Sequence, residues 1–102
     1  MEFITDNERI YAADGDGKLV AEVTFPTKGC VATIDHTFVD DSLRGQGVAA
    51  ELVRLAADKI LADGKMIAAT CPYAVAWLLR HPEYPVVGSD GSAACRLDLS
   101  QR

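Results

Sequence analysis

No stretch of this 102-residue chain comes near the roughly 18 consecutive apolar residues that would cross a bilayer. Met1-Glu2-Phe3-Ile4-Thr5-Asp6 likewise lacks the basic start and apolar run of a secretion signal. Both absences lead to the expectation of a cytoplasmic protein with no membrane partner. Cysteine is scarce: Cys30, Cys71 and Cys95 form no CxxC pair and are odd in number, which argues against a disulfide framework and against a zinc site, so no metal is expected. Lys and Arg total 10 against 15 Asp and Glu, for a net charge of −5, and the cations are scattered. A nucleic-acid surface needs them clustered, so no nucleic-acid partner is expected. There are no repeats and no low-complexity runs, no Gly-Lys-Ser/Thr of a Walker loop, and no three-glycine dinucleotide fingerprint.

What is present suits one small domain over residues 1–102, 49% hydrophobic, with a modest core. A short first strand is placed at Glu2 to Thr5. Arg9 to Ala13, Asp14-Gly15-Asp16-Gly17 and Lys18 to Phe25 read as a hairpin, because the turn residues tolerate positive φ and Leu19, Ala21, Val23 and Phe25 alternate with Glu22 and Thr24. Pro26-Thr27-Lys28-Gly29 makes the next turn, and Cys30 to Val39 gives a further strand of the meander. Lys65 to Thr70, an apolar run between Gly64 and Pro72, reads as a buried strand parallel to it. An edge strand is expected around Cys95 to Leu99.

Between the two parallel strands lies the most informative segment, Arg44-Gly45-Gln46-Gly47-Val48-Ala49. Val48, Leu52, Leu55, Ala56 and Ile60 recur at helical spacing, widened by Ala49, Val53, Ala57 and Leu61, and Asp63-Gly64 supplies a stop. A glycine turn opening such a helix leaves unpaired N–H groups aimed one way, which suits a phosphate or pyrophosphate. A purely structural strand-to-helix turn is the competing reading.

Arg-x-x-Gly-x-Ala after a strand and before a helix resembles the acetyl-CoA pyrophosphate loop of the GNAT superfamily of N-acetyltransferases. Asp35-His36-Thr37-Phe38-Val39, Cys71-Pro72-Tyr73 and His81-Pro82-Glu83-Tyr84 are similar to its compact subfamily, little more than a CoA-binding core. The resemblance covers about Ile34 to Tyr84. It implies an α/β (α+β) fold: a mixed, largely antiparallel sheet with a central parallel strand pair splayed at the CoA cleft, a helix after the glycine loop and a short one after Cys71. It further implies that the backbone of Phe38 and Val39 receives pantetheine. The N–H groups of Gly45, Gln46, Gly47, Val48 and Ala49 would take the pyrophosphate, with Arg44 adding charge.

Pro72 suits a first helical position, so Cys71 stands near an N-cap, where the helix dipole favours a thiolate. Three roles stay open for it: a nucleophile that takes the acetyl group, a packed core residue, or a polariser of the leaving thiolate. On an extended strand His36 shares a face with Ile34 and Phe38, with Asp35 opposite. It is then either a hydrogen-bonded histidine on an apolar face or a base for the attacking ammonium. His81-Pro82-Glu83-Tyr84 ends the short helix, and Tyr84 packs on the core; alternatively, Arg80 and His81 meet the 3′-phosphate of CoA and Glu83 meets an amine.

The implied function is acetyl-CoA-dependent N-acetyl transfer to an amine, from a small molecule or a protein, by a monomer or weak homodimer. The alternative is a non-catalytic acyl-CoA-binding module that senses acyl-CoA or presents it to a partner.

Overall fold

The computed structural model describes residues 2–86, so the strand expected around Cys95 to Leu99 lies outside the described residues. β1 (Ile4–Asp6), β2 (Arg9–Ala13) and β3 (Leu19–Thr24) form an antiparallel meander. Its β2–β3 turn is closed by Asp14, whose carboxylate accepts the N–H groups of Asp16 at 2.9 Å and Lys18 at 3.0 Å. Alternation does the rest: Ile10, Ala12, Ala21 and Val23 are buried, while Arg9, Tyr11, Glu22 and Thr24 stand on the other face.

The expected turn at residues 26–29 holds a two-residue strand, β4 (Thr27–Lys28), paired antiparallel with β5 (Val31–Ile34). β5 and β6 (His36–Val39) occupy the run read as one strand from Cys30 to Val39. That run is broken at Asp35. The Thr24 carbonyl accepts the Asp35 N–H at 3.2 Å, yet the register partner of Thr24 is His36, so two residues face one. This is a β-bulge.

The bulge lets one run of chain serve two sheets, β1-β2-β3-β6 and β4-β5-β7, where β7 (Met66–Ala69) runs parallel to β5 as the sequence predicts. It also overturns the expected placement of His36. The extra residue shifts the alternation, so Ile34 is fully buried while both Asp35 and His36 are exposed. His36 therefore does not share a face with Ile34, and Asp35 is not on the side opposite His36 but bonds the Thr24 hydroxyl at 2.6 Å.

After β6 a single 3-10 turn (Asp41–Leu43) and the glycine loop lead into α1 (Val48–Ala62). α1 buries Val48, Leu52, Val53, Ala56, Ala57 and Ile60, much as the spacing predicts; Leu61 remains 38% exposed. It ends where expected: Asp63 is the C-cap and Gly64 takes φ 77°. α2 (Pro72–Leu79) has Pro72 in its first turn and Cys71 at its N-cap. Only Ala74, Trp77 and Leu78 of that helix are buried; Val75 and Leu79 face outward.

One apolar cluster joins the inner face of the meander, α1, Ile34, Ile67, Cys71 and α2. Cys30 is disulfide-bonded, in contrast to the expectation from cysteine count; Cys71 is a free thiol. Among the described residues no helix is long and apolar enough to cross a membrane. Nor does any group of three or more His, Cys, Asp or Glu in them form a metal-holding set.

Leu52 is fully buried and Leu79 is 77% exposed, so the same truncation has very different consequences. Leu52→Ala costs about 2–5 kcal/mol in urea unfolding, through lost burial plus the cavity left behind, whereas Leu79→Ala stays within about 0.5 kcal/mol.

Candidate active site

β5 and β7 run side by side from Val31 opposite Met66 to Ile34 opposite Ala69, and there they part. The last links are two N–H groups on one carbonyl: Ile34 accepts from Thr70 at 3.0 Å and Cys71 at 3.2 Å. Beyond that point the first chain bulges away to join β3 as β6, while the second turns into α2. A wedge opens between β6 and the start of α2, with the Ile34 carbonyl at its apex.

Among the described residues β6 is the end strand of its sheet and has no strand paired on its other edge. An antiparallel ladder sends the backbone groups of alternate residues to the neighbour. The Asp40 N–H donates to Val20 at 2.8 Å, which puts Phe38, its register partner Glu22 and His36 on the bonded side. Thr37 and Val39 consequently present N–H and C=O to the wedge. Of the two residues expected to receive pantetheine, Val39 has its backbone on this open edge and Phe38 has its own turned to β3; Thr37 is the other residue of β6 on the open edge.

The glycine loop lies just past the open end of β6. Asp40 caps the 3-10 turn, accepting from the Ser42 N–H at 3.0 Å and the Ser42 hydroxyl at 2.7 Å. Gly45 and Gly47 follow at φ 83° and φ 74°, the left-handed region where a side chain adds strain. A Cβ at either would meet nothing within 4 Å, so the chain around both stands open. Gly47 is the N-cap of α1 and cannot cap with a side chain; the first helical bond runs from the Glu51 N–H to the Gly47 carbonyl at 3.1 Å. The N–H groups of Val48, Ala49 and Ala50 thus have no helical acceptor, and the helix dipole adds partial positive charge there. Gln46 is less available, because its N–H donates to Leu43 at 3.3 Å. The Arg44 side chain is 77% exposed and pairs with Asp41 at 3.0 Å.

Cys71 sits at the apex of the wedge, 8% exposed. Its Sγ lies 3.5 Å from the Thr37 hydroxyl across the gap. Burial works against the thiolate, but the Thr37 hydroxyl together with the amides of Ala74, Tyr73 and Thr37 outweighs it, so the thiol titrates below its ordinary range. That the Thr37 amide takes part agrees with its turning toward the wedge. Thr37 escapes a reading of the sequence because no spacing relates residue 37 to residue 71; only the parting of the strands brings them together.

The remaining candidates fall outside the wedge or on its flank. His36 has a 56% exposed side chain on the face away from α1, with its Nε2 3.9 Å from Glu22. Trp77 stacks on His81 at 3.9 Å between ring centroids, and Tyr84 donates to Asp58 of α1 at 2.7 Å while packing against the core. Tyr84 thus packs on the core as the packing alternative had it, and the His81 to Tyr84 segment also fastens α2 to α1. Glu83 is engaged with His81 at 3.3 Å.

Residues 9–87 match the family model described as GCN5-related N-acetyl-transferase. A GCN5-like N-acetyltransferase candidate from Staphylococcus aureus, solved by NMR, is 28% identical, with 81% of this chain and 82% of that one covered and a TM-score of 0.66. An acetyltransferase candidate from Deinococcus radiodurans R1 shares the fold at 24% identity and a TM-score of 0.57, over 71% of this chain and 51% of that one, so the present chain spans about half its length. Among curated proteins none matches. With the matched region covering most of the chain and the wedge, glycine loop and mixed sheet all in place, the chain belongs to the GCN5-related N-acetyltransferase family, whose acetyl donor is acetyl-CoA.

Proposed function

We propose that this protein transfers the acetyl group of acetyl-CoA to a primary amine by way of Cys71. The observation that carries the reading is the wedge: an unpaired strand edge and a run of free helix-start amides lead to one thiol at its apex. Pantetheine would add to β6 as an extra strand, bonding to Thr37 and Val39. The pyrophosphate would lie on the amides of Val48, Ala49 and Ala50, with Gly45 and Gly47 allowing close approach and Arg44 adding charge. That arrangement holds the thioester at the Ile34 end of the gap, where alignment supplies much of the rate.

The Cys71 thiolate attacks the acetyl carbonyl; the bond from carbonyl carbon to CoA sulfur breaks, and CoA leaves as a thiolate that takes up a proton. A neutral amine then attacks the acetyl-cysteine: the new C–N bond forms, the carbon–sulfur bond to Cys71 breaks to release its thiolate, and the nitrogen gives up its remaining extra proton to solvent to leave the amide. An ammonium must first lose a proton. His36 suits that step as the exposed imidazole on β6, beside Thr37. The acceptor reaches it from the face away from α1, because α1 covers the other one.

Three measurements test this reading. In calorimetric titration with CoA, Gly47→Glu abolishes binding, since a carboxylate would stand where the phosphates lie; undiminished affinity would remove the loop from the site. In assays of CoA thiol release with polyamines, amino sugars and lysine peptides, Cys71→Ser loses turnover by about 10²-fold or more while still binding CoA. Unchanged turnover would reject the covalent step, and binding with no release by the unmutated protein would favour the non-catalytic module. Thr37→Val removes the hydroxyl that favours the thiolate. The midpoint of Cys71 alkylation by iodoacetamide therefore moves to higher pH, and an unmoved midpoint would show that Thr37 does not tune the thiol.

A further inference from the structure

The face of the meander turned away from α1 carries an ordered set of side chains. Strand register aligns two cross-strand rows on it: Ile4, Tyr11, Glu22 and Phe38 in one, and Asp6, Arg9, Thr24 and His36 in the next. Glu22 lies diagonally between Arg9 and His36, and its two carboxylate oxygens are divided between them. Oε2 accepts from the Arg9 Nε, and Oε1 faces the His36 Nε2 at 3.9 Å. Arg9 is itself fixed, its guanidinium lying 3.9 Å above the Tyr11 ring. The Glu22 side chain is 17% exposed against 56% for His36, so the carboxylate is the sheltered, held partner and the imidazole the accessible one.

We propose that Glu22, locked by Arg9, is a positioning residue that orients His36 for proton removal from the acceptor amine. This rests on the acetyltransferase reading above and adds to it a line of contacts, Arg9 to Glu22 to His36, that reaches across three strands. The 3.9 Å separation is longer than a hydrogen bond, and a modest rotation of the imidazole closes it, as happens when a site tightens around its substrate. With Nε2–H donating to Glu22, Nδ1 keeps its lone pair and receives the proton of the ammonium; the freed amine pair then attacks the acetyl carbon. The other charged and titratable groups on this face do not compete for His36: Asp6 stands on β1 at the far end of its row, with β2 and β3 between them. Asp35 is bonded to the Thr24 hydroxyl, Arg9 is paired with Glu22, and Tyr11 lies under Arg9. The bulge at Asp35 makes the juxtaposition possible, since without the extra residue His36 would point toward the core.

A double-mutant cycle decides it. Turnover is measured by CoA thiol release with the best acceptor of the panel, for unmutated protein, Glu22→Ala, His36→Ala and the double variant, with CoA affinity and melting temperature recorded for each. If Glu22 acts through His36, Glu22→Ala lowers kcat about tenfold, inside the roughly 10²–10⁴-fold range of general-base catalysis, with the KM for acetyl-CoA and CoA affinity unchanged. The double variant then falls no lower than His36→Ala. Glu22→Gln, whose amide oxygen still accepts from Nε2, recovers most of the loss. Wild-type kcat in Glu22→Ala, or a double variant reduced by the product of the two single losses, would overturn the proposal while leaving acetyl transfer intact. An unmutated protein that binds CoA yet releases no thiol with any acceptor defeats both.

Discussion

The extra residue opposite Thr24 governs the geometry of this protein. An antiparallel ladder that continued through Asp35 would keep β5 and β6 in one sheet, with no reason for the chain to leave β7 behind. Because Asp35 and His36 both face Thr24, the strand bends and its twist increases, and the segment after Ile34 becomes the partner of β3 alone. Parallel neighbours that part in this way expose backbone groups that would otherwise be paired. Buried, such groups would be costly, but at the rim of a wedge they are satisfied by solvent or by a ligand that brings its own amides. The same residue places Ile34 in the core and His36 outside it. The wedge and the outward placement of His36 are thus two consequences of one backbone irregularity.

Rigidity around the wedge comes from its two walls. On one side, β6 is held along its inner edge by β3, and on the other Cys71 begins a helix anchored by Trp77 and Leu78 in the core. The Trp77–His81 stack and the bond from Tyr84 to Asp58 tie the far end of α2 to α1. Asp58 also meets Arg54 at 3.2 Å and Arg54 meets Glu51 at 2.6 Å, a chain of pairs along the outer surface of α1. Exposed pairs of this sort add little stability singly. Their effect here is registry: α1, which offers its first amides to the wedge, and α2, which offers Cys71, cannot drift apart without breaking the Tyr84 contact.

Much of this was legible in the residues. The hairpin followed from alternation around Asp14 to Gly17, α1 from its 3.6-residue stripe, and the N-cap place of Cys71 from Pro72. These are local signals, each set by a few neighbours in the chain. The bulge was not legible, because Ile34-Asp35-His36-Thr37 alternates as well in an unbroken strand as in a bulged one. The choice between them is made by β3 and β7, which compete for the same chain. From that one omission came the wrong face for His36. Likewise, nothing in the chain order links Arg9, Glu22 and His36. They meet only once three strands are in register.

An acidic protein that holds a polyanionic nucleotide must do so against its own net charge of −5. At physiological ionic strength, charges beyond about 8 Å are largely screened, so what matters is the immediate surroundings of the glycine loop. Three carboxylates stand near it in sequence, and all are engaged. Asp41 pairs with Arg44, and Glu51 pairs with Arg54. Asp40 accepts from Ser42, which holds its carboxyl below the ordinary range, and lies 3.5 Å from Lys18. With those charges answered locally, the field that the proposed phosphate site would offer is set by the amides at the start of α1 that lack a helical acceptor and by the outer side of the Arg44 guanidinium. Such a site does not draw its ligand from afar. It works at contact range, where backbone dipoles fixed by the helix need no reorganisation to receive an anion.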